Sequence, residues 1–177
     1  MAVKRPAAVT FRGNPLTLVG PALKKGDKAP DFTCHRFTPD KLLFAVRLAD
    51  TPNKPRLFSV VPSLDTPVCS TQTKKFNQEL AALGDQVAAY TISADTPFAQ
   101  NRFCGSENIT NMTTLSDYQD RSFGQAWGML IDELKLLARG VFVVDANGII
   151  QYAQLVPEVA AEPDYEPALN MLKLLAG

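Results

Sequence analysis

Apolar and polar positions alternate from Ala8 to Val19 on either side of a Gly13-Asn14-Pro15 break, which predicts an N-terminal β-hairpin. A polar loop from Lys24 to Pro30 follows. Asp31 to Arg36 and Leu42 to Leu48 are weaker strand patterns around a turn at Thr38-Pro39-Asp40. The first strong strand is Arg56 to Val61, entered from Pro52-Asn53-Lys54-Pro55. From Cys69 onward the period lengthens: Thr73, Phe76, Leu80 and Leu83 recur at spacings of three and four until Gly84, the pattern of a helix of about four turns. Val87 to Ser93 is apolar and β-branched, hence a buried strand. Asp95-Thr96-Pro97 reads as a helix N-cap followed by proline at the first helical position, with the helix ending near Cys104-Gly105. Thr113 to Leu115 is a short strand and Phe123 to Met129 a short helix. Val141 to Val144 and Ile149 to Gln154 flank Asp145-Ala146-Asn147-Gly148, a hairpin signal, and a last helix runs from Tyr165 to Leu175.

The order βαβα, a shorter βα, then a hairpin and a helix predicts an α/β protein with a mixed central sheet flanked by helices, and a thioredoxin-like architecture fits it best. On this reading residues 1–22 are a hairpin appendage and residues 23–177 the main domain of a single-domain chain. With 46% hydrophobic and 20% charged residues in 177, the chain is able to bury a sizeable core. Eighteen basic and eighteen acidic residues cancel, which gives no reason to expect nucleic acid or an anionic membrane as a partner. The longest strictly apolar run, Leu42 to Val46, is far shorter than the ~20 residues that span a bilayer. The start, with Lys4 and Arg5 followed by Pro6, lacks an apolar leader segment, so the expectation is a soluble cytoplasmic protein. Three cysteines, Cys34, Cys69 and Cys104, are too few and of the wrong parity for a secreted disulfide framework; any disulfide is expected to be transient.

The chemistry concentrates at VPSLDTPVCS, residues 61–70, where a strand breaks at Pro62, turns through Asp65-Thr66-Pro67 and delivers Cys69 into the first turn of a helix. There the backbone N–H groups are unpaired and the helix dipole favours an anion, so a thiolate is stabilised. A free thiol, with pKa ~8.5, is only a few per cent ionised at neutral pH; the helix terminus and one cation together are able to change that. Cys69 shares a helical face with Phe76, Leu80 and Leu83, which aims the sulfur at the core edge. The simpler alternative for a lone cysteine is a small buried hydrophobe. The stiff turn between Pro62 and Pro67, and the Thr66 hydroxyl three residues before the thiol, favour the chemical reading.

Pro62, Thr66 and Cys69 form a Pro-x-x-x-Thr-x-x-Cys pattern that resembles the peroxiredoxins. VPSLDTPVCSTQTKKFN, SADTPFAQNRFCG and the ending EPDYEPAL are similar to the thiol peroxidase subfamily of atypical two-cysteine enzymes, over nearly the whole chain. The resemblance implies that a Cys69 thiolate attacks the O–O bond of hydrogen peroxide or an alkyl hydroperoxide and becomes a sulfenic acid. It implies that Thr66 hydrogen-bonds the sulfur and the peroxide, that Pro62 shields the sulfenate, and that Arg139 is the cation. Sequence alone does not choose Arg139 from the eighteen basic residues. Cys104 matches the resolving cysteine, which forms an intramolecular disulfide with Cys69 that thioredoxin reduces; spacing alone leaves all three pairings open. A homodimer follows from the resemblance only.

Cys34 and His35 have no counterpart in these motifs, and adjacent strand residues point to opposite faces, so no metal site is expected; no cofactor is implied either. The lack of a C-x-x-C spacing weakens a disulfide-isomerase reading. Trp127 reads as core packing. A second class of function, a redox-sensing or partner-binding module of the same fold with slow turnover, is compatible with the same residues.

Overall fold

The computed structural model describes residues 2–177. The strands are β1 (Lys4–Phe11), β2 (Asn14–Val19), β3 (Thr33–Thr38), β4 (Leu42–Arg47), β5 (Arg56–Val60), β6 (Ala88–Ser93), β7 (Thr113–Ser116), β8 (Leu130–Ile131), β9 (Gly140–Val144) and β10 (Ile150–Leu155). The helices are α1 (Pro67–Leu80), α2 (Pro97–Ser106), α3 (Ser122–Ala126) and α4 (Tyr165–Ala176). Seven strands form the central sheet in the order β10-β9-β5-β6-β7-β3-β4. β5, β6 and β7 run parallel to one another, as expected for strands linked through helices, while β9 lies antiparallel to β5 and β3 antiparallel to β7. This is the mixed sheet that the element order predicts.

Because both faces are covered, the central strands are buried throughout rather than alternating. Successive residues of β5 supply two cores. Leu57 joins Val141, Val143, Phe76 and Leu80 of α1, and Tyr165, Leu169 and Leu172 of α4. Phe58 and Val60 join Phe32, Phe123 and Trp127 on the other face. Trp127 is 1% exposed, stacks on Phe123 at 4.7 Å and donates from Nε1 to the Pro30 carbonyl at 2.9 Å, so both its apolar body and its polar end are satisfied.

The N-terminal hairpin turns one residue earlier than its Gly-Asn-Pro signal suggests. Arg12 and Gly13 occupy the turn with φ of 49° and 81°, while Asn14 and Pro15 already belong to β2. Positive φ at both central residues gives the strands the twist a two-residue hairpin needs. The hairpin is not free of the rest of the fold. Its Val9 and Leu18 are buried in the same core as Trp127, and β2 also pairs with β8, a two-residue strand too short for any periodicity to announce.

Asp117 ties this core to the sheet. Its carboxylate accepts the N–H groups of Phe123 and Gly124 at 2.8 Å each, and the Cys34 thiol at 3.8 Å. Burial pushes its pKa up to about 6, against the opposing pull of those two N–H groups. A raised native pKa means that protonation favours the fold: the contribution is complete below the ordinary carboxylate range and is lost as pH rises through about 6. Stability of the wild-type chain should therefore carry a downward term of about 2 to 3 kcal/mol between pH 4 and 7 from this group. Asp117→Asn should remove that slope in denaturant titrations at a series of pH values; an unchanged slope would place the titration on another group.

Candidate active site

The ladder of β5 ends where Pro62 removes a donor, and the following turn is held by Asp95. Its carboxylate accepts the Ser63 hydroxyl at 2.7 Å, the Leu64 N–H at 2.8 Å and the Ser93 hydroxyl at 2.7 Å. Asp95 is thus more than the residue before a cap: Thr96 is the N-cap of α2, accepting the Ala99 N–H, while Asp95 fixes the turn that precedes α1. Thr66 is the N-cap of α1 and Pro67 its first residue, which puts Cys69 third in the helix, inside the first turn. The Ser70 N–H closes that turn on the Thr66 carbonyl at 3.0 Å.

Cys69 is fully buried, with Val61, Leu64 and the half-buried Phe103 of α2 packed around it. On the helix side its neighbours on the buried face are Gln72, Thr73, Phe76 and Leu80. Arg139, 2% exposed, sits immediately before β9 and aims its whole guanidinium inward. Nη2 donates to Cys69 Sγ at 3.3 Å, Nη1 to Gln72 Oε1 at 2.9 Å and Nε to the Val159 carbonyl at 2.9 Å. Gln72 in turn donates from Nε2 to Ser59 Oγ of β5 at 2.8 Å. Ser59, Gln72, Arg139 and Cys69 therefore form one buried hydrogen-bonded chain. Among the described residues Arg139 makes no ion pair with a carboxylate, so the sulfur is the one partner in this chain able to carry a compensating negative charge.

Three members of the site, Ser59, Gln72 and Val159, were not read from the sequence. Gln72 carried a usable signal, a polar residue on the buried face of a helix three positions after the cysteine. Val159 contributes only a backbone carbonyl, which no side-chain pattern reveals. The expected contact from Thr66 to the sulfur is not made: the Thr66 hydroxyl donates instead to the Ser63 carbonyl at 2.8 Å, within the exposed turn. Pro62 is buried beside Val61. A cleft of about 460 Å³ lies above, lined by Leu64, Thr66, Pro67, Arg102 and Phe103, and shares Leu64 and Phe103 with the wall around Cys69.

All three cysteines are free thiols. Cys104 lies in the last turn of α2, half-buried, with Sγ hydrogen-bonded to Thr114 Oγ1 at 3.7 Å. Burial pushes its pKa up, partly offset by the Thr114 hydroxyl and the positive charge of Arg36. Cys34 is fully buried in β3, and burial followed by the charge of Asp117 pushes its pKa well up, as befits a structural thiol.

The redoxin family model matches residues 24–169, a span that holds Cys69, Cys104 and Arg139. The chain belongs to the redoxin family, in its thiol peroxidase branch. A thiol peroxidase of Bacillus subtilis (strain 168) is 51% identical over 169 residues, covering 96% of this chain and 98% of that protein. One of Listeria innocua is 52% identical over 165 residues, covering 93% and 97%. Among solved structures, a peroxiredoxin-like protein from Aquifex aeolicus superposes with a TM-score of 0.84 at 43% identity, covering 97% of this chain and 99% of that one. The N-terminal hairpin lies outside residues 24–169, but because these relatives are matched nearly end to end it falls largely within the span shared with them.

Proposed function

We propose that this redoxin is a thiol-dependent peroxidase in which Cys69 reacts as a thiolate paired with Arg139. The observation that carries the reading is the Arg139 guanidinium, buried at 3.3 Å from the sulfur with neutral oxygens as its other partners. A buried cation is costly unless a negative group compensates it, and a thiolate does so. A hydroperoxide enters by the cleft beside Thr66, with Phe103 moving aside, and the Thr66 hydroxyl oxygen accepts the peroxide O–H. The thiolate attacks the distal oxygen; the S–O bond forms as the O–O bond breaks, leaving a Cys69 sulfenic acid and an alkoxide or hydroxide that takes up a proton. Arg139 stabilises the charge spread over the sulfur and the two oxygens, and Pro62 keeps bulk water from the sulfenic acid.

Cys104, as thiolate, then attacks the Cys69 sulfur, forms the disulfide and releases hydroxide. Its position at the end of α2, where the helix gives way to the 107–112 loop, supports this, since helix ends open at low cost. Closure of the bond needs the two Cα atoms within ~7 Å. A dithiol reductant, thioredoxin, returns both thiols. The protein acts in the cytoplasm; among the described residues no helix is long and apolar enough to cross a membrane. It works as a homodimer, a reading supported by exposed Phe98 beside Phe37 at 5.1 Å and exposed Leu43 opposite Phe37; a monomeric mass by light scattering would remove that element.

Steady-state turnover with peroxide and reduced thioredoxin tests the whole reading, because a redox-sensing module of the same fold would oxidise once and turn over slowly. Cys104→Ser should still consume one equivalent of peroxide, lose thioredoxin-coupled turnover by at least about a hundredfold and accumulate Cys69 sulfinic acid under excess peroxide. Full coupled turnover in this variant would exclude Cys104 as the resolving thiol.

A further inference from the structure

Arg139 is held at Nε by the carbonyl of Val159, and that carbonyl belongs to a short segment strapped to the N-terminal hairpin. Thr10 of β1 donates its N–H to the Pro157 carbonyl at 2.8 Å and accepts the Val159 N–H at 2.8 Å. On the other side, Val156 donates to the carbonyl of Arg139 itself at 2.9 Å. Between them Glu158 gathers four donors. Its Oε1 accepts the Arg12 N–H at 2.8 Å and the Ala160 N–H at 3.1 Å. Its Oε2 accepts the Thr10 hydroxyl at 2.7 Å and the Gly13 N–H at 3.2 Å. The hairpin tip is thereby clipped to the segment that holds the guanidinium. The Thr10 hydroxyl and the N–H groups of Arg12 and Ala160 hold the Glu158 carboxyl down to about 2, so it is ionised at neutral pH.

We infer that Glu158, through the hairpin it clips, is a positioning residue for Arg139: it fixes the Val159 carbonyl that orients the guanidinium toward Cys69. This rests on the reading of Arg139 as the cation at the thiol. The guanidinium is a rigid planar fork, so a shift of the carbonyl at Nε rotates both Nη groups, and the contact to sulfur is set by geometry as much as by charge. The N-terminal hairpin, distant in sequence from every residue of the thiol site, becomes part of what tunes it.

The test combines Glu158→Ala, Thr10→Val and Arg139→Gln, measuring the second-order rate with hydrogen peroxide and the pH dependence of Cys69 alkylation by iodoacetamide. Glu158→Ala should lower the peroxide rate about tenfold and move the alkylation midpoint to higher pH, and Thr10→Val, which removes one donor only, should act in the same direction by about two- to threefold. In the Arg139→Gln background Glu158→Ala should change the rate by under about twofold, because the residue acts through the arginine. A wild-type rate and midpoint in both Glu158→Ala and Thr10→Val, or an equal loss in the presence and absence of Arg139, would overturn the inference. A wild-type rate in Arg139→Gln alone would overturn the reading of Arg139 and this inference with it, so the two failures are told apart. If Glu158→Ala does not fold, Thr10→Val decides the matter by the same two readouts.

Discussion

Cys69→Ser should lose peroxidase activity by on the order of 10⁴-fold or more, the effect of removing the nucleophile from a site whose other groups only orient and polarise. Serine is close in volume and takes the same place in the first turn of α1, so the loss is chemical rather than a collapse of the site. The hydroxyl stays neutral at any working pH, however, and the Arg139 guanidinium is then buried without a counter-charge. The variant is therefore also expected to be less stable, by about 1 to 3 kcal/mol, because the guanidinium keeps a hydroxyl acceptor but loses its counter-charge. Peroxide consumption and denaturant unfolding of the same preparation read both effects. A variant that keeps most of the wild-type rate would show that the reacting sulfur lies elsewhere.

Arg139→Gln should slow the reaction with peroxide by about 10² to 10³-fold, comparable to deleting one preorganised donor from a site where charge develops. Cys69 should also be alkylated more slowly at neutral pH, because the positive charge that touches the sulfur is gone. Arg139→Lys keeps the charge and is still expected to be slow. One compact ammonium is unable to reach Cys69 Sγ, Gln72 Oε1 and the Val159 carbonyl at once with the fixed geometry of the guanidinium. Rates and alkylation profiles across pH for both variants check this. Wild-type behaviour in both would assign the cation role to another residue.

Much of this site is legible in the chain because its first half is local. Pro62, Thr66, Pro67 and Cys69 are close neighbours in sequence, and the change from a two-residue to a three-and-four-residue period places the thiol at a strand-to-helix turn. The hairpins and the helix that opens at Thr96-Pro97 follow from turn and cap chemistry in the same local way. Arg139 lies 70 residues away, and what brings it to the sulfur is the insertion of β9 beside β5, a decision of the whole sheet. Family resemblance pointed to it where periodicity does not. Gln72 stood in view as a polar break on an apolar helix face, and only the arginine opposite explains it. Asp95 looked like part of a helix cap, yet its carboxylate serves the turn before α1, because β6 ends beside that of β5. The Thr66 hydroxyl was expected on the sulfur and instead meets the Ser63 carbonyl, a nearer acceptor within its own turn.

The most direct measurement of the central claim is a peptide map, under non-reducing conditions, of the wild-type protein treated with one equivalent of hydrogen peroxide. With Cys69 as the attacking thiol and Cys104 as its partner, the main product is a Cys69–Cys104 disulfide within one chain, with Cys34 recovered as a free thiol from its buried place in β3. A main product linking Cys34 to either of the others, or peroxide consumed while Cys69 is recovered reduced, would contradict the account.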